Sequence, residues 1–144
     1  NPAPATNTVP AALLAVTGLI IPDETGSEVL GGVHITDEHS MVAGGRKLRA
    51  LGVANVIISV GGKGALWRRG DGHGFVPAIK VRAVDTTAAG DTFIGALSSV
   101  LASDLSNLAG AVRFANRASS LAVQRLGAQP SIPTKAEIEA AERA

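Results

Sequence analysis

The stretch "VRAVDTTAAGDTFIGALSSVLA" (Val81–Ala102) sets two aspartates, Asp85 and Asp91, on either side of Thr-Thr-Ala-Ala-Gly. The apolar run before it predicts a strand ending near Val84, and from Asp91 onward the pattern turns helical. A turn does not need three tiny residues in succession. Amides at a helix start lack intrahelical acceptors and carry partial positive charge. Ala88, Ala89 and Gly90 keep side chains away from them, so an anion can lie on bare backbone, and phosphate is the natural guest. Asp91 stands beside that opening, where a carboxylate can take a proton from an attacking hydroxyl. A plainer reading also fits the spacing and is the commoner arrangement: Asp91 as a helix N-cap and Asp85 as a strand terminator.

Working outward, Thr92–Ala102 reads as one helix and Ser106–Arg125 as a second, closed by Gly127. "IPTKAEIEAAERA" ends the chain as a helix, with Thr134 and Glu137 at capping-box spacing. Upstream, "GLIIP" (Gly18–Pro22) predicts a short buried strand. "ITDEHSMVAGGRKLRALGV" predicts a helix from about Asp37 to Leu51, capped by Thr36 and stopped at Gly52. Gly44 and Gly45 count against that helix, since a glycine in a helix interior costs about 1 kcal/mol. "ANVIISVGG" is β-branched and apolar on both faces, the mark of an interior parallel strand. "GALWRRGDGHGFVPAIKVRAV" predicts a hairpin about Gly-Asp-Gly and then a further strand. This order points to a layered α/β domain.

Composition narrows the function. The chain has 144 residues, 46% apolar and only 3% aromatic, with a formal charge of +1. That charge and the lack of a stacking platform exclude a nucleic-acid binder, and Arg68-Arg69 and Lys80/Arg82 read as solvated surface. The absence of cysteine removes thiol chemistry and fits a reducing compartment. His34, His39 and His73 lack metal-ligand spacing, and no apolar run approaches a membrane span.

"SVGGKGALW" (Ser59–Trp67) is a second glycine-rich loop after a strand. It is not a P-loop, because Gly64 follows Lys63. It is not a dinucleotide fingerprint, because Trp67 takes the third glycine's place, which disfavours a dehydrogenase half. A ligand loop at a strand's carboxyl end and a tight turn both remain open. "RLGAQPSIP" (Arg125–Pro133) is irregular after a helix. Its free carbonyls together with Asp85 suit an oxygen cage for a hard cation, or simply a loop.

With these residues in place, "DTTAAGDTFIGAL" resembles the C-terminal signature of the ribokinase-like (PfkB) carbohydrate kinases, whose core reads D-T-x-[GA]-A-G-D-x-F. "NPAP", "VIISVGGKGALW", "VPAIKVRAVD" and "GAQPSIP" follow in matching order. The resemblance implies a ribokinase-like α/β/α fold with a mostly parallel sheet, of which residues 1–144 form the C-terminal, nucleotide-binding half. It implies a cytoplasmic kinase moving the γ-phosphoryl of ATP onto the primary hydroxyl of ribose or a similar sugar. Asp91 would be the base, and Ala88, Ala89 and Gly90 the anion hole. Ser59, Gly61, Gly62, Gly64 and Asn116 would run along the nucleotide, with Asp23 on the magnesium–phosphate side. Asp85, Thr87, Ala122, Arg125, Gly127 and Ser131 would surround a monovalent cation, K+.

Two departures accompany the resemblance. The family's Asn-x-x-Glu motif here reads "PDETGSE", with Asp23 for the asparagine and Gly26 for the glutamate. The sugar-binding residues and the dimer-forming lid belong to the family's N-terminal half, which precedes the segment matched by "NPAP". The expectation is therefore a piece of a longer, homodimeric kinase, its sheet left with an unpaired edge. The alternative is a catalytically silent nucleotide-binding or structural remnant.

Overall fold

The structure is a computed structural model that describes residues 1–143. Two compact units divide the chain, Asn1–Phe75 and Val76–Ala144.

The first unit carries a four-stranded sheet in the order β1 (Leu19–Ile20), β2 (Asn55–Ser59), β3 (Gly64–Arg69), β4 (Gly72–Pro77). The last two residues of β4 open the second unit. The α/β character follows the sequence, and the sheet is mixed: β2 runs parallel to β1 and antiparallel to β3. β2 is interior as its composition requires, with Val56, Ile57 and Ile58 fully buried. Helices α1 (Ala11–Ala15), α2 (Glu24–Gly31) and α3 (Glu38–Ala50) complete this unit. One apolar cluster joins Leu14, Ile20, Leu48, Val53, Val56 and Ile58, and another joins Ile35, Met41, Val60 and Leu66.

The N-cap of α3 is Asp37, one residue beyond the expected Thr36. Its carboxylate accepts the Ser40 amide at 2.8 Å, and Ser40 Oγ accepts the Asp37 amide at 3.0 Å. The two glycines that weaken α3 serve its packing. A Cβ on Gly44 would lie 3.0 Å from Ile35 Cδ1, and one on Gly45 would lie 3.4 Å from Leu66 Cδ2. Close approach of helix to sheet accounts for residues that propensity alone disfavours.

The second unit is helical: α4 (Ala89–Leu101), α5 (Leu108–Ala122) and α6 (Lys135–Arg143). α4 packs on α5 and α5 on α6. Leu108, Ala111, Val112, Ala115, Ala118 and Ala122 form the buried face of α5 at helical spacing. The strand expected to end near Val84 is not formed. The Val84 and Asp85 amides donate instead to the Val123 carbonyl at 2.7 and 3.2 Å, so these donors are spent on the end of α5 and not on a ladder.

Candidate active site

α4 begins at Ala89, two residues before Asp91. Its N-cap is Ala88, at φ 59° and ψ 14°, the one left-handed residue other than glycine among the described residues. That conformation costs an alanine about 1–2 kcal/mol. Ala88 also has no side-chain oxygen to cap with. The Ala89 amide donates to the Thr86 carbonyl at 3.2 Å, while the Ala88, Gly90 and Asp91 amides have no acceptor among the described residues. A left-handed residue followed at once by right-handed helix turns successive amides into one concavity. Gly90 is exposed, and a Cβ placed there would touch nothing. Neither packing nor backbone angle requires glycine at that position.

Asp91 is therefore the third helical residue, and the capping alternative drops out: its exposed carboxylate makes no hydrogen bond or ion pair among the described residues. The helix dipole favours a negative charge in this first turn. Ser119 Oγ donates to the Ala89 carbonyl at 3.0 Å, fastening the start of α4 to α5. Sequence reading missed Ser119; its place one turn beyond Asn116 on α5 is the signal that was available.

Asp85 is saturated. Its Oδ1 accepts from Thr87 Oγ1 at 2.6 Å and from the Thr87 amide at 2.9 Å, and its Oδ2 accepts from the Gly127 amide at 2.9 Å. The Thr87 hydroxyl and amide, with the Gly127 amide, hold the Asp85 carboxyl below the ordinary carboxylate range. Gly127 itself sits at φ 87°, but it does not close α5 as expected: the helix ends at Ala122 with Val123 as its right-handed cap, and the left-handed turn comes four residues beyond that cap.

The remaining residues of the expected cation cage occupy this turn and the next. The Ala122 carbonyl accepts the Arg125 amide at 3.0 Å. Arg125 Nη2 reaches Glu137 Oε1 at 2.6 Å, and the fully buried Ser131 donates its hydroxyl to the Ala128 carbonyl at 2.6 Å. The Thr87, Arg125 and Gly127 carbonyls accept nothing among the described residues. The donor set fits a large monovalent cation held by neutral oxygens; Asp85 has its carboxylate committed and would serve as the clamp. Glu137, which sequence reading used only for capping, is the anchor of Arg125. Asn116 is buried, its amide donating to the Val76 and Pro77 carbonyls at 3.1 Å each, which leaves only its oxygen uncommitted.

In the first unit, Asp23 and the Ser59–Gly64 loop lie together at the carboxyl ends of the parallel pair β1 and β2. The Ser59 amide donates to the Pro22 carbonyl at 3.0 Å. Ligands of open α/β sheets bind at such ends. Gly61 (φ 48°) opens a single 3-10 turn that Gly64 (φ 131°) ends, and Gly61 and Gly62 are exposed with open space where a Cβ would stand. Asp23 is the N-cap of α2, its Oδ1 accepting the Gly26 amide at 2.7 Å. A Cβ on Gly26 would lie 3.1 Å from Pro22 Cβ and 3.2 Å from that same Asp23 oxygen. Asp23 Oδ2 is left as one carboxylate oxygen toward a magnesium ion, and no cluster of three or more metal-ligating side chains exists among the described residues. A magnesium ion would thus lean on phosphate oxygens and water, its usual habit in phosphate sites.

A model of the pfkB family of carbohydrate kinases matches residues 1–135. The chain belongs to this family. Among curated relatives, the bifunctional ribokinase/ribose-5-phosphate isomerase A of Fructilactobacillus sanfranciscensis is 46% identical over 96% of this chain and 25% of its own length. The ribokinase of Staphylococcus aureus is 44% identical over 96% of this chain and 45% of its own. Among solved structures, Arabidopsis thaliana ribokinase complexed with ribose and ATP superposes with a TM-score of 0.86 at 30% identity, over 94% of this chain and 44% of that one. This pfkB-family chain thus spans less than half the length of each. No described helix is long and apolar enough to cross a membrane.

Proposed function

We propose that the protein to which this chain belongs is an ATP-dependent sugar kinase of the ribokinase type, acting in the cytoplasm, with the phosphoryl-transfer half represented here. One observation carries the reading. The start of α4 offers three amides without acceptors and a carboxylate without a partner among the described residues, around a glycine that neither its backbone angle nor its described neighbours require. Relatives named ribokinase, one of them solved with ribose and ATP, support the choice of ribose or a similar sugar as acceptor and of ATP as donor.

In this reading the primary hydroxyl of the sugar attacks the γ-phosphorus as the bond to ADP breaks, and the hydroxyl proton passes to Asp91. The Ala88, Gly90 and Asp91 amides donate to the oxygens of the transferring group, and Ala89, bonded to Thr86, holds the turn in shape. Gly61 and Gly62 would bring exposed backbone to the nucleotide, on a turn bounded by the half-buried Ser59 and the buried Gly64; in the second unit, Asn116 Oδ1 would be an acceptor for it. Asp23 Oδ2 would help hold Mg2+, which supplies charge neutralisation on the phosphates. The Thr87, Arg125, Gly127, Ala122 and Ser131 oxygens would hold K+ beside the clamp made by Asp85, supplying positive charge near the anion hole without touching ATP. The complete protein would be a homodimer through the family's lid.

A second reading has its own support: Asp23 spends one oxygen on a helix cap, and Gly26 offers no ligand, so the magnesium side is thin. That favours a nucleotide-binding remnant without catalysis. The product of the full reading frame separates the two. Ribose-dependent ADP release, followed by a coupled assay, is expected. ATP binding with no sugar-dependent release would leave the remnant.

A further inference from the structure

A cavity of about 410 Å³ in the first unit is lined by Arg46, Arg49, Ala50, Arg68 and Asp71. Three arginines line it, and none forms an ion pair among the described residues. Arg68 is 7% exposed, and its Nε is buried with no hydrogen-bond partner among the described residues. An unsatisfied buried donor on a charged group is costly, and native proteins leave few of them without an ion or water to complete them.

The surroundings are built around that side chain. Arg68 follows Leu66 on the face of β3 that meets α3, and the missing side chain of Gly45 makes room for its stem. A Cβ on Gly45 would lie 3.5 Å from Arg68 Cδ. Arg49 is fixed by donating Nη1 to the Gly70 carbonyl at 3.0 Å and Nε to the Ala54 carbonyl at 3.3 Å, which keeps Nη2 free. Arg46 lies three residues earlier on α3 and is exposed. Like charges at that spacing repel unless an anion lies between them. Arg68 pairs with Val56 and Ala65 with Ser59, so the cavity lies at the other end of β2 from the Ser59–Gly64 loop, about 10 Å along the strand.

We propose that this cavity is a binding site for a phosphate-class oxyanion, separate from the residues assigned to phosphoryl transfer. The planar forks of Arg68 and Arg46, with Arg49 Nη2, match the oxygens of a phosphate group. The cavity is larger than a bare phosphate needs, and Asp71 on its wall suits the hydroxyl of an ester.

The test uses the product of the full reading frame, labelled with 15N at arginine and saturated with ADP. The Arg68 Nε–H resonance is assigned by its loss in Arg68→Lys. Titration with inorganic phosphate is expected to move it saturably, and chloride at equal ionic strength to leave it in place. Movement by glycerol 3-phosphate as well would identify a phosphate ester as ligand; movement by inorganic phosphate alone would identify the free ion. Arg46→Gln changes an exposed side chain, keeps the fold, and should weaken phosphate binding about tenfold. An Arg68 signal indifferent to phosphate, whether completed by water or by a carboxylate from elsewhere in the protein, would overturn the proposal. So would movement equal in chloride, or phosphate affinity unchanged in Arg46→Gln.

Discussion

Asp85 accepts the Gly127 amide at 2.9 Å, bridging 42 positions of sequence. Its other oxygen holds Thr87, the residue immediately before the left-handed Ala88. One carboxylate therefore clamps the entry to α4 against the turn that leaves α5. Asp85→Ala releases both attachments, so it should lower the thermal midpoint and depress phosphoryl transfer together. Asp85→Asn keeps one carbonyl oxygen as acceptor and should fall between. Calorimetry and activity on the same preparations check this ordering; an Asp85→Ala protein with wild-type stability would remove the clamp. Because three donors hold the Asp85 carboxyl below its ordinary range, its contribution is complete above the unfolded carboxyl's pKa and is lost as pH falls through the folded value.

Asp91 has no structural employment: it neither caps α4 nor pairs with a cation among the described residues. Asp91→Asn should thus leave thermal stability and ATP affinity nearly unchanged while lowering kcat by roughly 10²–10⁴-fold, the usual contribution of a positioned general base. A fall in ATP affinity with kcat preserved would assign Asp91 to binding instead.

Gly90 separates fold from function. A methyl group there meets no protein atom and the backbone is helical, so Gly90→Ala should stabilise the protein by about 0.5–1 kcal/mol through helix propensity and lost unfolded-state entropy. The same methyl group would stand over the unpaired amides where the phosphoryl group is proposed to lie. Activity should drop while the melting temperature rises, a pairing that denaturation and steady-state kinetics on one variant can read. Activity unchanged in Gly90→Ala would place the anion elsewhere.

The sequence was legible where local chemistry decides. The Thr134–Glu137 capping box, the hairpin with Gly70 and Asp71 at its tip, and the β-branched interior strand β2 all formed as expected. It was less legible where partners distant in sequence decide. Val84 looked like the end of a strand, but its amide turns to Val123. The antiparallel neighbour of β2 came from the hairpin, which an apolar run cannot announce. At the candidate site, the small-residue run announced open backbone, but no sequence pattern shows an alanine at φ 59° or an N-cap three residues before Asp91. Gly44 and Gly45 looked like a weakness of α3 until the sheet beneath them supplied the reason.

Glu137 joins three jobs in one carboxylate. It accepts the Thr134 amide at 2.7 Å and hydroxyl at 2.9 Å at the start of α6, and it pairs with Arg125 at 2.6 Å. The Thr134 amide, then the Arg125 side chain and the Thr134 hydroxyl, pull its pKa down from 4.5 to about 2. A lowered folded pKa means that the unfolded chain takes up the proton first. The stabilisation is therefore complete above about pH 4.5 and drains away as pH falls toward 2. Glu137→Gln removes the titration, and with it the ionic hold on Arg125. The variant should be less stable than wild type at pH 7, and the gap should close through that acidic window. Urea unfolding from pH 7 down to pH 2.5 reads both curves. Parallel curves, with a constant gap across the whole range, would show that Glu137 contributes nothing through its charge.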